Sequence, residues 1–100
     1  MTRSDQTGTA DPLAPLRARF RERSRNDARA LKAALEGQDY AAIESIAHGL
    51  AGMAGMFGHA ELAEASAAID GVFARGGRPS GDAVQALIGI IDRTVEAPHS

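Results

Sequence analysis

Residues 39–62 read DYAAIESIAHGLAGMAGMFGHAEL, and this stretch predicts one helix, a tight turn and the start of a second helix. Its apolar and small side chains recur at the three- and four-residue spacing of a single helical stripe. The stripe consists of Tyr40, Ile43, Ala47, Leu50, Ala54 and Phe57. Asp39 precedes it as a capping residue, and Gly58 follows it as a stop. We therefore expect a helix that begins at Tyr40 and a chain that turns back at Gly58.

The segment before this stretch carries the same helical pattern. Asp11 is a candidate N-cap, Pro12 suits the first helical position, and Gly37 is a candidate stop. We expect a first helix over roughly residues 12–36. Its stripe is Leu13, Leu16, Phe20, Ser24, Ala28, Leu31 and Leu35.

Two more helices are predicted after the turn at Gly58. The third covers roughly residues 60–75, and the fourth follows the loop RGGRPSGD, is capped by Ser80 and ends before Pro98. Their stripes are Leu62, Ala65, Ile69, Val72 and Phe73, then Val84, Leu87, Ile88, Ile91 and Val95. Because short connections make sequential helices neighbours, we expect an all-α, antiparallel up-and-down four-helix bundle over 11–97. A flexible tail is expected over 1–10.

Composition narrows the class of protein. The chain has 100 residues, of which 44% are hydrophobic, enough for a single core. It has no cysteine, which excludes disulfides and thiolate sites. No apolar run approaches the roughly 20 residues that span a bilayer, and the first residues lack the hydrophobic segment of a secretory signal. We expect a cytoplasmic monomer that does not bind a membrane.

His48 is the candidate functional residue. At about 100° per residue, it lies about 150° from the centre of the apolar stripe and should face solvent. Gly49, Gly52 and Gly55 lie inside the same predicted helix, where they cost about 2–3 kcal/mol of helix propensity together. Gly49 and Gly52 point away from the predicted core, so close helix packing explains them poorly. We expect an exposed imidazole that a second protein can approach closely.

Small side chains surround this histidine on the predicted outer face. Residues three and four apart share a helix face, so the neighbours of His48 can be read from the spacing. The candidate partner-binding residues are Ala41, Glu44, Ser45, Ala51, Gly52, Gly55 and Met56. Gly52 has no side chain to keep a partner's backbone away from the ring.

The sequence AHGLAGMAGMFGHAELAEASAAID, from Ala47 onward, resembles the signature of histidine-containing phosphotransfer (HPt) domains of two-component phosphorelays. That signature runs His-x-Leu-Lys-Gly, with a further glycine six residues later. His48 matches the phospho-accepting histidine, Leu50 the core leucine, and Gly52 the close-approach glycine. Gly58 matches the later glycine, and residues 62–70 match the helix that follows. The lead-in LKAALEGQDYAAIESIAH is also similar to that of the family.

The resemblance covers about residues 12–95 and implies a function. His48 would accept a phosphoryl group and exchange it with the aspartate of receiver domains, acting as a carrier rather than an enzyme. The partner would be a response-regulator receiver domain, a histidine kinase or both. The receiver would supply Mg²⁺ and the aspartate, so the chain needs no cofactor or metal of its own. A neutral imidazole is itself a nucleophile near physiological pH.

One departure from the family pattern keeps alternatives open. The family has lysine three residues after the histidine, whereas this chain has Ala51. Another cation, such as one from the arginine-rich first helix, could balance the phosphoryl charge, or the rate and lifetime of the phosphoryl group could differ. The chain could instead be a pseudo-HPt adaptor that binds a kinase or receiver without carrying phosphate.

Two further readings find less support in the sequence. Residues 1–32 hold eight basic and four acidic side chains, but residues 33–100 hold three and nine. Because the longer segment is acidic and no DNA-binding motif is present, we expect no nucleic-acid partner. His59 is expected near the surface at a helix start, and His99 in the terminal tail, so neither predicts a metal site.

Overall fold

The computed structural model describes residues 11–96. Within that range the chain forms four α-helices: α1 (Ala14–Gly37), α2 (Tyr40–Met56), α3 (Ala60–Ala74) and α4 (Gly81–Glu96). The pairs in contact are α1 with α2, α2 with α3, α3 with α4, and α4 with α1. The connections span only residues 38–39, 57–59 and 75–80, so consecutive helices run antiparallel. The predicted all-α, up-and-down four-helix bundle is confirmed.

Three sequence predictions fall partly outside this range. The predicted tail over 1–10 and the fourth helix's end before Pro98 lie outside the described residues, as does His99. Across 11–96 no strand occurs. No helix of that part of the chain has the length and apolar character needed to cross a membrane.

The predicted start of α1 at Pro12 is wrong. Asp11 instead holds a turn, since its carboxylate accepts the Leu13 N–H at 3.0 Å and its carbonyl accepts the Ala14 N–H at 2.9 Å. The helix then begins at Ala14. Pro15 explains the shift, because in a helix starting at Pro12 its ring would clash with the Asp11 carbonyl and no N–H would be available there. A start at Ala14 places Pro15 in the first turn, where no donor is needed.

The predicted stop at Gly37 is also displaced by one residue. Gly37 is the last helical residue, and Gln38 takes the left-handed conformation with φ of 56°. The Asp39 N–H donates to Ala34 O at 2.8 Å, which closes the helix end. Asp39 then caps α2 by accepting the Ala42 N–H at 3.1 Å. Gln38, which directly precedes the cap residue Asp39, is the left-handed residue of this junction. The chain therefore turns at Gln38 and not at Gly37.

Gly58 ends α2 as the sequence predicted. Its φ is 80°, which an L side chain rarely adopts. Its N–H donates to Gly55 O at 3.2 Å, and the next N–H, of His59, donates to Ala54 O at 2.9 Å. This pair of hydrogen bonds is the Schellman arrangement. At the start of α4, the predicted Ser80 cap is confirmed by a 3.1 Å hydrogen bond from the Ala83 N–H.

The four helices bury one continuous apolar core. Its buried members are Phe20, Ala28, Leu31, Ala34, Ile43, Ala47, Leu50, Ala54, Leu62, Ile69, Val84, Leu87, Ile88, Ile91 and Val95. All five predicted residues of α4 are among them. Tyr40, Leu35, Ala65, Phe57 and Phe73 pack at its edge, half-buried. Ser24 and Ser66 are fully buried beside the apolar residues, and Ala34 and Ser66 are core positions that the spacing did not include.

Leu13 and Leu16 are not core residues, contrary to the predicted stripe. Each remains 43% exposed. The ring of Phe20 lies 5.3 Å from that of Phe57 and stacks on that of His59 at the α2–α3 turn. The residues before Phe20 therefore extend past this end of the bundle, because α1 has 24 residues and the other helices 15 to 17.

Candidate functional site

His48 lies on the solvent side of α2, as the helical spacing predicted. Its side chain is 78% exposed. The flanking residues Ala47 and Leu50 point into the core, where they are 0% and 2% exposed. These buried neighbours fix the rotation of α2 about its axis and thereby hold the imidazole outward.

Asp70 of α3 holds the imidazole ring of His48. The Nδ1 atom of His48 lies 3.0 Å from Oδ2 of Asp70. Because a carboxylate only accepts hydrogen bonds, Nδ1 carries the proton and donates it. The other ring nitrogen, Nε2, is then the one with a free lone pair when the ring is neutral. Spacing along α2 could not predict this contact, since Asp70 lies 22 residues away on the next helix.

The charge state of His48 follows from the same contact. The hydrogen bond to Asp70 raises the pKa of His48 above its usual value, and the negative charge of Asp70 adds to the effect. Partial desolvation lowers the pKa slightly, and the charge of Glu44 raises it. The ring therefore keeps its second proton to higher pH than a free histidine does, and the neutral form with a nucleophilic Nε2 predominates above that raised pKa.

The predicted partner-binding residues share this face of α2. Six of the seven are exposed: Ala41, Glu44, Ser45, Gly52, Gly55 and Met56. Ala51 is half-buried. A Cβ atom built at Gly52 or Gly55 meets no other atom within 4 Å, so the space above both glycines is open. Met56 is 76% exposed at the end of the helix. The face around His48 therefore has mostly short side chains, is open to solvent and is partly apolar.

The sequence as a whole matches a known family. The family model described as "Hpt domain" matches residues 15–97. The chain belongs to the Hpt domain family. Membership implies a phosphotransfer role in two-component signalling, in which Hpt domains are carriers rather than catalysts and interact with receiver domains and kinases. Comparison with curated proteins gives no match, and comparison with solved structures gives none either.

The charge around His48 differs from the Hpt pattern. Ala51 occupies the position at which the pattern has lysine, one turn after the histidine. The helices α2 and α3 contain four acidic residues, Glu44, Glu61, Glu64 and Asp70, and neither helix contains a lysine or arginine. The chain has no lysine or arginine between Lys32 and Arg75. A cation near His48 must therefore come from another helix or from the partner.

Gly49 lies beside a side chain of α1, which its predicted position did not suggest. It is half-buried on the side of α2 that faces α1. The Nη2 atom of Arg23, on α1, lies 3.4 Å from the point that a Cβ of Gly49 would occupy. A Cβ there would be in ordinary contact with the end of a flexible arginine, so close helix packing does not require a glycine, as the helical spacing indicated. The helical spacing of α2 distinguishes core from solvent, but it does not show a long arginine side chain that reaches over from the neighbouring helix.

The other histidine within residues 11–96, His59, lies at the α2–α3 turn. His59 is the N-cap of α3 and is half-buried, and its ring stacks on Phe20 with centroids 5.1 Å apart and planes 7° apart. It supports the α2–α3 turn. Within residues 11–96 no group of three or more histidine and carboxylate side chains is arranged to hold a metal ion.

Proposed function

We propose that His48 accepts a phosphoryl group on Nε2 from the aspartyl phosphate of a receiver domain, or from a histidine kinase, and passes it to another receiver. The observation that carries the proposal is the hydrogen bond from Nδ1 of an exposed ring to Asp70. It directs Nε2 away from α3 and fixes which nitrogen has the free lone pair. Membership of the Hpt family supports the same role.

The transfer is balanced without a proton acceptor. The lone pair of Nε2 attacks phosphorus, the bond between phosphorus and the receiver's carboxylate oxygen breaks, and that electron pair leaves with the carboxylate. The proton on Nδ1 stays in place, so the phosphorylated ring is positively charged. Asp70, at 3.0 Å, then stabilises that charge. The reverse reaction follows the same path, which suits a carrier.

The receiver domain supplies the rest of the chemistry in this proposal. Phosphoryl transfer depends on in-line positioning and on neutralising the charge of the transferring group. The receiver would bring Mg²⁺ and the acceptor aspartate, and this chain would bring an oriented nucleophile. The open space above Gly52 and Gly55 lets the receiver's backbone approach the ring. Met56, 76% exposed, gives the partner an apolar contact at the edge of the face.

Phosphoryl labelling tests the proposal. The protein is incubated with a phosphorylated receiver domain, and acid-labile phosphate on the chain is measured over time. Wild type should be labelled, and His48→Gln should not be. The matched control is His99→Gln, which makes the same chemical change far along the sequence and should label like wild type. Equal labelling of His48→Gln and wild type would exclude His48 as the acceptor.

Ala51 favours a second function, that of a pseudo-HPt adaptor. Without a cation one turn from His48, the face could bind a kinase or receiver and leave the phosphoryl group on its partner. The adaptor predicts that a receiver binds this face while wild type stays unlabelled. Binding measured by calorimetry alongside the labelling separates the two functions.

A further inference from the structure

A phosphoryl group on His48 would enter a negatively charged site. It carries about 1.5 to 2 negative charges near neutral pH. Asp70 already lies 3.0 Å from the ring, and Glu44 lies one turn earlier on α2. Since α2 and α3 contain no lysine or arginine, a compensating charge within this chain must come from outside these two helices, and α1, which packs along α2, carries six arginines.

Arg23 is the α1 arginine that the structure places against α2 beside His48. Its Nη2 atom lies 3.4 Å from the Cβ position of Gly49, the residue that directly follows the histidine. Its closest carboxylate within the described chain is that of Asp27, and Nε and Oδ2 there are 3.9 Å apart. The side chain is 60% exposed. The guanidinium is thus loosely held, and its Nη2 atom lies against α2.

We propose that Arg23 supplies the positive charge that pairs with the phosphoryl group on His48, and that the absence of a large side chain at Gly49 leaves room for the guanidinium to lie there. The inference rests on the proposed phosphotransfer function. Arg23 contacts the phosphoryl group from the neighbouring helix and offsets the missing lysine at Ala51. A guanidinium suits this task because its several N–H groups match phosphate oxygens.

The test measures how the phosphoryl group on His48 titrates, and it needs no partner protein. Phosphoramidate transfers its phosphoryl group to an imidazole nitrogen and releases ammonia, and the ³¹P signal that His48→Gln lacks belongs to His48. A nearby cation favours the more charged phosphate, so Arg23→Gln should raise the phosphoryl pKa by about 0.2 to 0.7 units. Arg23→Lys keeps the charge and should stay near wild type.

The matched control is Arg25→Gln, which removes the same charge from the same helix. Arg25 pairs with Glu22 on α1, at 3.6 Å, and points about 200° around the helix from Arg23. It should leave the titration unchanged. Arg23→Gln also leaves the Asp27 carboxylate without its countercharge. The double variant Arg23→Gln/Asp27→Asn is therefore compared with Asp27→Asn alone, so that the two proteins differ only at Arg23.

Variants of Gly49 test the geometry without altering any charge. Alanine there places its Cβ in ordinary contact with Arg23, so Gly49→Ala should titrate like wild type. Gly49→Leu should displace the guanidinium and raise the phosphoryl pKa as Arg23→Gln does. If His48 is phosphorylated but Arg23→Gln and Gly49→Leu titrate like wild type, the role of Arg23 is refuted and the proposed function stands. If phosphoramidate and a phosphorylated receiver both leave His48 unlabelled, both proposals fail.

Discussion

Replacing Gly52 by alanine measures two effects of this glycine separately: how much it lowers the stability of the fold, and how much it contributes to docking of a partner. Gly52 lies inside α2, and a Cβ added there meets no atom within 4 Å. No steric penalty therefore offsets the better helix propensity of alanine, and the free energy of unfolding should rise by about 0.8–1 kcal/mol. For a domain of this size, that corresponds to about 4–8 °C in Tm.

The same change should slow phosphoryl transfer if a partner needs the open space. We expect Gly52→Ala to be more stable in thermal and urea unfolding and slower in transfer from a phosphorylated receiver, and Gly52→Gln to be slower still. Phosphoramidate labelling of His48 should remain, because that small donor requires no docking. Gly49→Ala is the matched control, since it makes the same change on the flank that faces α1 and should transfer normally.

Two results would refute this reasoning. If Gly52→Ala is no more stable than wild type, Gly52 does not lower the stability of α2, contrary to what its open surroundings indicate. If Gly52→Gln is stable and transfers at the wild-type rate, the surface above Gly52 is not where the partner docks.

Three further changes probe the ring, the core and the α1 carboxylate. Asp70→Asn should lower the pKa of His48 and move the acid limb of a transfer pH profile to lower pH, whereas Asp70→Ala should move that limb in the same direction and also slow transfer on the plateau above it by freeing the ring. Folding raises the pKa of His48, so the contact with Asp70 stabilises the protein fully below the usual histidine pKa, and this stabilisation is lost as the pH rises through the pKa of the folded protein. In urea unfolding, the free energies of unfolding of wild type and Asp70→Asn should therefore converge at high pH. Leu50→Ala, at a side chain only 2% exposed, should cost about 2–5 kcal/mol in urea unfolding and leave less folded protein. Burial raises the pKa of Asp27 in spite of Arg23 nearby, so Asp27→Asn should stabilise the protein at neutral pH, and this advantage should vanish in acid as the wild-type carboxyl protonates.

Helical periodicity predicted most of the fold because each helix buries one stripe. The α2 stripe and all five α4 residues pack as their spacing indicated, and Gly58 ends α2 with a positive φ of 80°. The errors lie where a second element decides the outcome. The start of α1 depends on Pro15, and the exposure of Leu13 and Leu16 depends on how far the shorter helices extend.

The candidate site divides in the same way. The outward direction of His48 follows from α2 alone, because it is set by the buried residues on the opposite side of the same helix. The contact with Asp70 and the approach of Arg23 to Gly49 each require a neighbouring helix in register. Periodicity within one helix has no information on that register, so the sequence could show that a cation was missing at Ala51 but not which arginine of α1 lies against α2.

The central claim is that Nε2 of His48 is the phosphoryl acceptor because Asp70 holds the proton on Nδ1. The most direct measurement is ¹⁵N NMR of the histidine rings before and after reaction with a phosphorylated receiver domain. At a pH above the raised pKa of His48, we expect a neutral ring protonated at Nδ1 at the start, and phosphorus coupled to Nε2 of His48 afterwards. A phosphoryl group on Nδ1, or on a residue other than His48, would contradict it.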